Sequence, residues 1–279
     1  MSSVQSNETY TLEEAQQQLD LSYFVKAIGK EIKDHESSER WEIVHKSAAQ
    51  GRKVLKAIWA FKRKHNPDGS LDKRKARVCP HGGMQRWGVD YWEICSPVAS
   101  WLAVHLMFVF RVTCNLSSLS LDFSQAFLLV DMNNDVHMGP PFGYNNPNGE
   151  HVLKLKKNFY VLCDGNLAWH EHLRRGLVKR GFKASQIDPC LFYEHGVNFI
   201  VYVDDCCMLG TSKELINNFL KSLKRLDKKQ KSKSQQHDDG FDFGIEDLIE
   251  KFLGVETQRS DDKVYMRQLH LIGRIIEAV

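Results

Sequence analysis

At 279 residues, 42% of them hydrophobic, the chain is long enough to bury one elaborate domain or two small ones. Its longest apolar stretch, Val98 to Phe110, contains His105 and falls short of the roughly 20 residues that a membrane-spanning helix needs. Secretion is not expected, because the first residues lack a basic region followed by an apolar block; seven cysteines without CxxC spacing argue against a disulfide framework or a zinc site and for a reducing compartment; and a net charge of +3 names no partner.

In chain order, apolar residues recur at helical spacing from Thr11 to His35, with Leu12, Ala15, Leu19, Phe24, Ala27 and Ile28 on the side expected to pack, which predicts a helix or a helix pair. From Gly51 to Arg77, ten Lys or Arg (positions 52, 53, 56, 62, 63, 64, 73, 74, 75 and 77) stand against two acids, Asp68 and Asp72. Segment 54–79 reads as two strands around Asn66-Pro67-Asp68-Gly69, where proline presets φ and glycine accepts a positive value. The basic cluster is thus expected on a hairpin, as a phosphate-contacting surface or as a solvated charged face. A glycine-rich loop over 80–93 leads to a buried helix over 98–110, and 118–127 reads as a strand containing Asp122 followed by a short helix or turn. Residues 163–182 form an amphipathic helix stopped by Gly181, 190–205 a hairpin turning at Gly196, and 211–226 a helix capped by Thr211 or Ser212. A basic run from Lys221 turns polar and repetitive, as a helix tail entering a mobile loop would, and 252–279 reads as strand, turn, strand and helix.

Within "FIVYVDDCCMLG", residues 199–210, two adjacent aspartates interrupt an otherwise apolar run. The flanking strands place Asp204 and Asp205 at the tip of a tight hairpin, where folding alone would favour Asn-Gly or Asp-Gly. Two carboxylates about 5 Å apart repel by roughly 3 kcal/mol at an effective dielectric near 20, so a positive partner is expected. A divalent cation with oxygen ligands is the natural one. Asp122 is a candidate third carboxylate, and Phe127, five residues on, a candidate wall of the same pocket. Taken singly, a strand-end aspartate is more often a cap and a lone phenylalanine more often core.

These residues carry a family resemblance. "WAFKRKHNPDGSLDKRKARVCPHGGMQRWGVDYWEICSPV", "LDFSQAFL", "LKLKKNFYVL", "GFKASQIDPCLFYEHG", "YVDD" and "FLGVE" occur in the order found in the reverse transcriptase region of copia-type retrotransposon polyproteins, which the chain resembles over most of its length. The resemblance implies an α+β right-hand polymerase fold: a palm with an antiparallel sheet and packed helices, fingers with the basic hairpin, and a partial thumb. The expected division is a helical lead-in over 1–50, fingers over 51–120, palm over 121–210 with interleaved fingers elements, and palm end with partial thumb over 211–279. It further implies that Asp122 and Asp204 are the main ligands of two Mg²⁺ ions, with Mn²⁺ a substitute, and Asp205 a weaker or indirect ligand. Phe127 would gate the sugar of the incoming nucleotide; Lys75 and Arg77, then Lys64 and Arg74, would contact the triphosphate; Tyr202 would pack beneath the primer terminus. The implied partners are an RNA or DNA template with its primer, deoxynucleoside triphosphates and the rest of a Gag-Pol-like polyprotein, in the cytoplasm or in virus-like particles.

Departures from the family pattern stand at Val161, where glycine is usual, at Cys163-Asp164, and at His137, Gly139 and Phe142. The chain ends in what reads as an early thumb helix, as a polyprotein fragment or a truncated reading frame would, and low processivity is expected of it. Three functions compete: an active RNA-directed DNA polymerase, an inactive remnant that only binds nucleic acid, and a metal-dependent nuclease. His170 and His172, at i and i+2, point to different helix faces and are not read as metal ligands. Cys206 and Cys207 are read as packing residues. Trp59, Trp87, Trp92 and Trp169 are read as core or interdomain packing, with Trp87 a secondary candidate for nucleic-acid contact.

Overall fold

A computed structural model describes residues 9–66, 68, 70–146, 148–224, 240–246, 251–252, 255–260 and 263–278. The architecture is mixed α/β with four sheets among the described residues. In chain order the elements are β1 (Thr9–Tyr10), α1 (Leu12–Gln16), α2 (Leu21–Ser37), β2 (Trp41–His45), β3 (Val54–Leu55), β4 (Ala57–His65), β5 (Leu71–Pro80), α3 (Trp101–Thr113), β6 (Ser117–Phe123), β7 (His137–Met138) and β8 (His151–Leu155). There follow α4 (Gly165–Val178), β9 (Lys183–Ala184), β10 (Leu191–Glu194), β11 (Val197–Tyr202), β12 (Asp205–Gly210), α5 (Lys213–Leu223), β13 (Phe243–Glu246), β14 (Lys251–Phe252), β15 (Val255–Ser260), β16 (Lys263–Arg267) and α6 (Leu269–Ala278). They divide into two compact units that interleave in sequence, residues 1–95 with 127–168 and residues 96–126 with 169–279.

The first unit opens on a helix pair. Thr11 caps α1 through a reciprocal box, its hydroxyl accepting from the Glu14 amide at 3.3 Å while the Glu14 carboxylate accepts from the Thr11 amide at 2.7 Å. α2 buries Phe24, Ile28 and Ile32, one per turn. Leu19, expected on that stripe, is fully exposed: it lies between the two helices, where the 3.6-residue period is broken. The stripe packs on the hairpin β4–β5, which with β1 forms a three-stranded sheet, and the Phe24 and Phe61 rings meet edge-on at 5.2 Å. Pro67 and Gly69 of the expected turn lie outside the described residues. A second sheet, in the order β2-β8-β7-β3, had no clear signal in the sequence. Its strands are two to five residues long and mix buried and exposed apolar side chains, so alternation is too short to register.

In the second unit, a six-stranded antiparallel sheet runs β13-β6-β12-β11-β10-β9. One face carries Ile200, Cys207 and Leu209, on which α3 lays Ala103, Val104, Met107 and Phe108. The other face carries Phe123 and Phe199, covered by Trp169 of α4 (ring centroids 5.3 Å from Phe123) and Phe219 of α5 (6.2 Å from Phe199). α3 is therefore half buried rather than wholly so: it is apolar all round, but only one side meets the sheet, and Leu102, Leu106, Val109 and Phe110 stay exposed. The β10–β11 hairpin turns at His195 and Gly196, both at positive φ, and the α5 cap is Ser212, whose hydroxyl accepts from the Leu215 amide at 3.2 Å. The loop expected after Lys221 lies largely, and residues 253–254 of the "FLGVE" motif wholly, outside the described residues. Among the described residues no helix is long and apolar enough to cross a membrane.

Val161 does not adopt a positive φ, so it needs no glycine there for backbone freedom. The steric demand falls on its neighbour instead: a Cβ added at Gly82 would stand 1.8 Å from the Val161 carbonyl oxygen. Gly82→Ala is therefore expected to destabilise the first unit by about 3 kcal/mol, read as a lower urea midpoint, whereas Gly51→Ala, at φ +79° with open space around it, should cost only about 1 kcal/mol.

Candidate active site

Cross-strand register assembles the carboxylates. Asp205 is the first residue of β12; it pairs with Tyr202 of β11 on one side and with Asp122 of β6 on the other. Directly opposed residues of antiparallel strands project to the same face with Cβ atoms about 5 Å apart, so Tyr202, Asp205 and Asp122 form a row across the sheet. Gly244 of β13 pairs with Asp122 on its far flank and extends the row without a side chain. Further along the same face, Cys207 and Leu209 belong to the core under α3, so the carboxylates stand where that apolar floor ends. Asp122 and Asp205 are exposed and Asp204 half buried.

The turn differs from the expected Asp-Asp tip. Its two loop residues are Val203 and Asp204, and Asp205 is already in the ladder. Val203 has φ +59° while Asp204 is not at positive φ, the pattern of a type II′ turn in which glycine is the usual first residue. The Val203 carbonyl accepts a 2.7 Å hydrogen bond from the Trp169 indole N–H, and the Asp204 carbonyl accepts from the Phe123 amide at 3.4 Å. Behind the row, Cys206 and Cys207 are buried; burial pushes both thiols up, Cys207 to about 12, which leaves them unreactive at neutral pH.

Among the described residues no group of three or more His, Cys, Asp or Glu side chains converges closely enough to enclose a metal ion on its own. The donor set nevertheless suits a hard cation. Two carboxylates share the exposed end of one sheet face and a third stands on the adjoining loop, and Mg²⁺ is typically held by one or two carboxylates, with water and substrate phosphates completing its shell.

In the first unit the basic hairpin has two electrostatically distinct faces. Register places Lys62 opposite Lys75, Lys64 opposite Lys73 and Ala60 opposite Arg77, so Lys62, Lys64, Lys73, Lys75 and Arg77 share one face. Arg63 and Arg74, paired with each other, point to the other, where both bind Asp20 and hold its carboxyl well below the usual carboxylate range. Arg74 also lies 4.3 Å over the Tyr23 ring. Of the four cations expected to meet a triphosphate, Lys64, Lys75 and Arg77 thus share a face, whereas Arg74 is engaged in tying the hairpin to the helix pair. Burial, then Arg77 and Lys64, lower the Lys75 ammonium to about 8.

Phe127 lies in the first unit, buried at 3% exposure and packed on Tyr160 at 4.7 Å, and Tyr160 in turn lies 4.7 Å beneath the Arg77 guanidinium. Of the other departures, His137 is buried, Phe142 is exposed while its carbonyl accepts from the Trp59 indole at 3.2 Å, and the Gly139 amide donates to the Leu55 carbonyl at 2.8 Å. Trp59 and Trp169 are buried as expected, whereas Trp87 and Trp92 are exposed. Sequence reading missed Asp20, Tyr160 and the tie between Trp169 and the loop, because each acts through a partner distant in the chain.

A sequence profile for the family described as "Reverse transcriptase (RNA-dependent DNA polymerase)" matches residues 38–279. The chain is similar to the Retrovirus-related Pol polyprotein from transposon RE1 of Arabidopsis thaliana, with 31% identity over 88% of this chain and 16% of that protein. It is also similar to the corresponding polyprotein from transposon TNT 1-94 of Nicotiana tabacum, with 27% identity over 97% of the chain and 20% of that protein. A Transposon Ty1-OR Gag-Pol polyprotein of Saccharomyces cerevisiae is 24% identical over 70% of the chain and 11% of that protein. The chain thus spans about a fifth or less of the length of these relatives.

The Lys75 environment is testable by NMR of lysine side chains. Titration is expected near pH 8; Glu31→Gln should lower it further by removing an attractive carboxylate, and Lys64→Ala should raise it. Native Lys75 at about 8 against an ordinary 10.5 means that the unfolded chain holds more protons between those values, so stability should rise with pH across that window. Lys75→Met should remove that part of the pH slope in urea titrations.

Proposed function

The chain belongs to the reverse transcriptase (RNA-dependent DNA polymerase) family and carries the reverse transcriptase domain of copia-type retrotransposon polyproteins, and from that premise we propose that it catalyses RNA-directed DNA synthesis at the Asp122–Asp205 row. The observation that supports the reading best is the register: Asp205 lies directly opposite Asp122, with Asp204 on the adjoining loop. Nothing in folding alone rewards such crowding of like charge at the exposed end of a sheet face. A nucleotidyl-transfer site does, because its carboxylates hold divalent cations against a triphosphate.

Asp122, Asp204 and Asp205 are the residues that would hold two Mg²⁺ ions, which when bound would lower the pKa of a primer 3′-hydroxyl and offset charge developing on the phosphates. Tyr202, the neighbour of Asp205 in the row, offers a flat apolar surface for the terminal base pair of the primer. Lys75 and Arg77 bind the triphosphate, with Lys64 on the same face. Lys75, lowered to about 8, still carries its proton at neutral pH, and an arriving triphosphate would stabilise that charge through a charge-assisted contact. Phe127 limits the space at the sugar, with its ring fixed by Tyr160. The second unit corresponds to the palm in this reading and the first contains the fingers. Template, primer and the remainder of a Gag-Pol-like polyprotein are the partners.

Extension of a DNA primer on an RNA template, with Mg²⁺ and deoxynucleotides, tests the reading. Asp122→Asn and Asp204→Asn are each expected to reduce extension by at least about 10³-fold with an unchanged far-UV spectrum, and substantial residual extension in either would refute their role as metal ligands. Lys75→Ala should raise the KM for nucleotides while leaving primer affinity in place. In the parent, the nucleotide KM should rise between pH 7 and 9 as Lys75 loses its proton, and this rise should flatten in Lys75→Ala.

A further inference from the structure

Val203 stands in a conformation that its own side chain disfavours. Its φ of +59° lies in the left-handed region, which β-branched residues enter only when surrounding structure compels them. The position is the first of a two-residue hairpin loop, where glycine would be at ease. Two ties bracket the loop: the Phe123 amide donates to the Asp204 carbonyl at 3.4 Å, and the Trp169 indole N–H donates to the Val203 carbonyl at 2.7 Å. The second is shorter, and its donor is buried. Trp169 is 1% exposed, wedged edge-on between Phe123 at 5.3 Å and Phe241 at 5.9 Å.

We propose that Trp169 is a positioning residue: its indole N–H clamps the Val203 carbonyl, holds the loop in its left-handed turn and so sets where Asp204 and Asp205 present their carboxylates. The ladder fixes Asp205 only through its pairing with Tyr202 and Asp122, and the loop that links Tyr202 to Asp205 must reverse direction within two residues. If the Val203 peptide relaxed toward an extended conformation, the loop would rotate and carry Asp204 with it. The clamp comes from the sheet face opposite the Asp122–Asp205 row, because Trp169 packs on Phe123, the residue after Asp122, which projects the other way. Trp169 thus acts on the carboxylates through the backbone without touching the ligands they would bind. The purpose assigned to the carboxylates rests on the polymerase reading, but the clamp itself does not.

The test separates the N–H from the ring. Trp169→Phe removes the donor and much of the bulk; replacement of Trp169 by the isosteric benzothienylalanine removes the donor alone and guards against a packing collapse. Each is made in the parent and in a Val203→Gly background, where positive φ carries no steric penalty. Two quantities are read: Mn²⁺ affinity by water proton relaxation, and amide hydrogen exchange at residues 203–205 against that of β11 and β12. In the parent, loss of the N–H is expected to weaken Mn²⁺ binding about tenfold, as loss of a group that orients metal ligands does, and to speed exchange at 203–205 while β11 and β12 keep their protection. In the Val203→Gly background the same replacement should change affinity less than about twofold. Unchanged loop exchange and affinity in the benzothienylalanine protein, or equal losses in both backgrounds, would overturn the clamp. A parent that shows the coupled response but adds no nucleotide would sink the polymerase reading and leave the clamp standing.

Discussion

The antiparallel pairing of β6 with β12 is the constraint on which the candidate site depends. It sets Asp205 opposite Asp122 on one face of the sheet, with Cβ atoms about 5 Å apart, so that two like charges share one patch. The same register places Leu121 against Cys206 and Leu119 against Met208 on the opposite face, all buried, so the charged pair is tied to the core by period-two alternation. A slip of one residue would turn the aspartates toward the layer under α4 and leave apolar side chains at the exposed end of the other face. The stability of the hydrophobic layer under α4 thereby enforces the placement of the charges.

Charge in the basic hairpin is sorted by the same alternation. Arg63 and Arg74 fall on the side that meets the helix pair, where Asp20 offsets them and fastens helix to hairpin. Lys62, Lys64, Lys73, Lys75 and Arg77 fall on the other side, where burial, then Arg77 and Lys64, lower the Lys75 ammonium. Nine and ten residues of strand thus yield a structural cation pair on one face and five cations on the other.

Most strands and helices that border the site were legible from local pattern: the amphipathic 163–182 segment, the Gly196 hairpin, the Ser212 cap and the strand bearing Asp122. What escaped was short or non-periodic. The β2-β8-β7-β3 sheet is built from strands of five residues or fewer, and Leu19 was misplaced because a helix break inside an apolar period leaves no mark in composition. The burial of α3 was overstated because hydrophobicity reports what a helix can bury, and the shape of the neighbouring sheet decides how much of it is buried.

The amino-acid sequence by itself singled out the candidate residues, because adjacent aspartates in an apolar run and ten cations in one short segment stand out from their surroundings. Tertiary structure alone decided how they are arranged: that Asp205 rather than Asp204 faces Asp122, that Arg74 is engaged with Asp20 while Arg77 lies over Tyr160, and that Val203 sits in a left-handed turn under the Trp169 indole. The physical reason is range. Propensity and alternation act over a few residues, whereas register, ion pairing and the clamp on the loop join positions 34 to 83 residues apart, which meet only when the core that brings them together has formed.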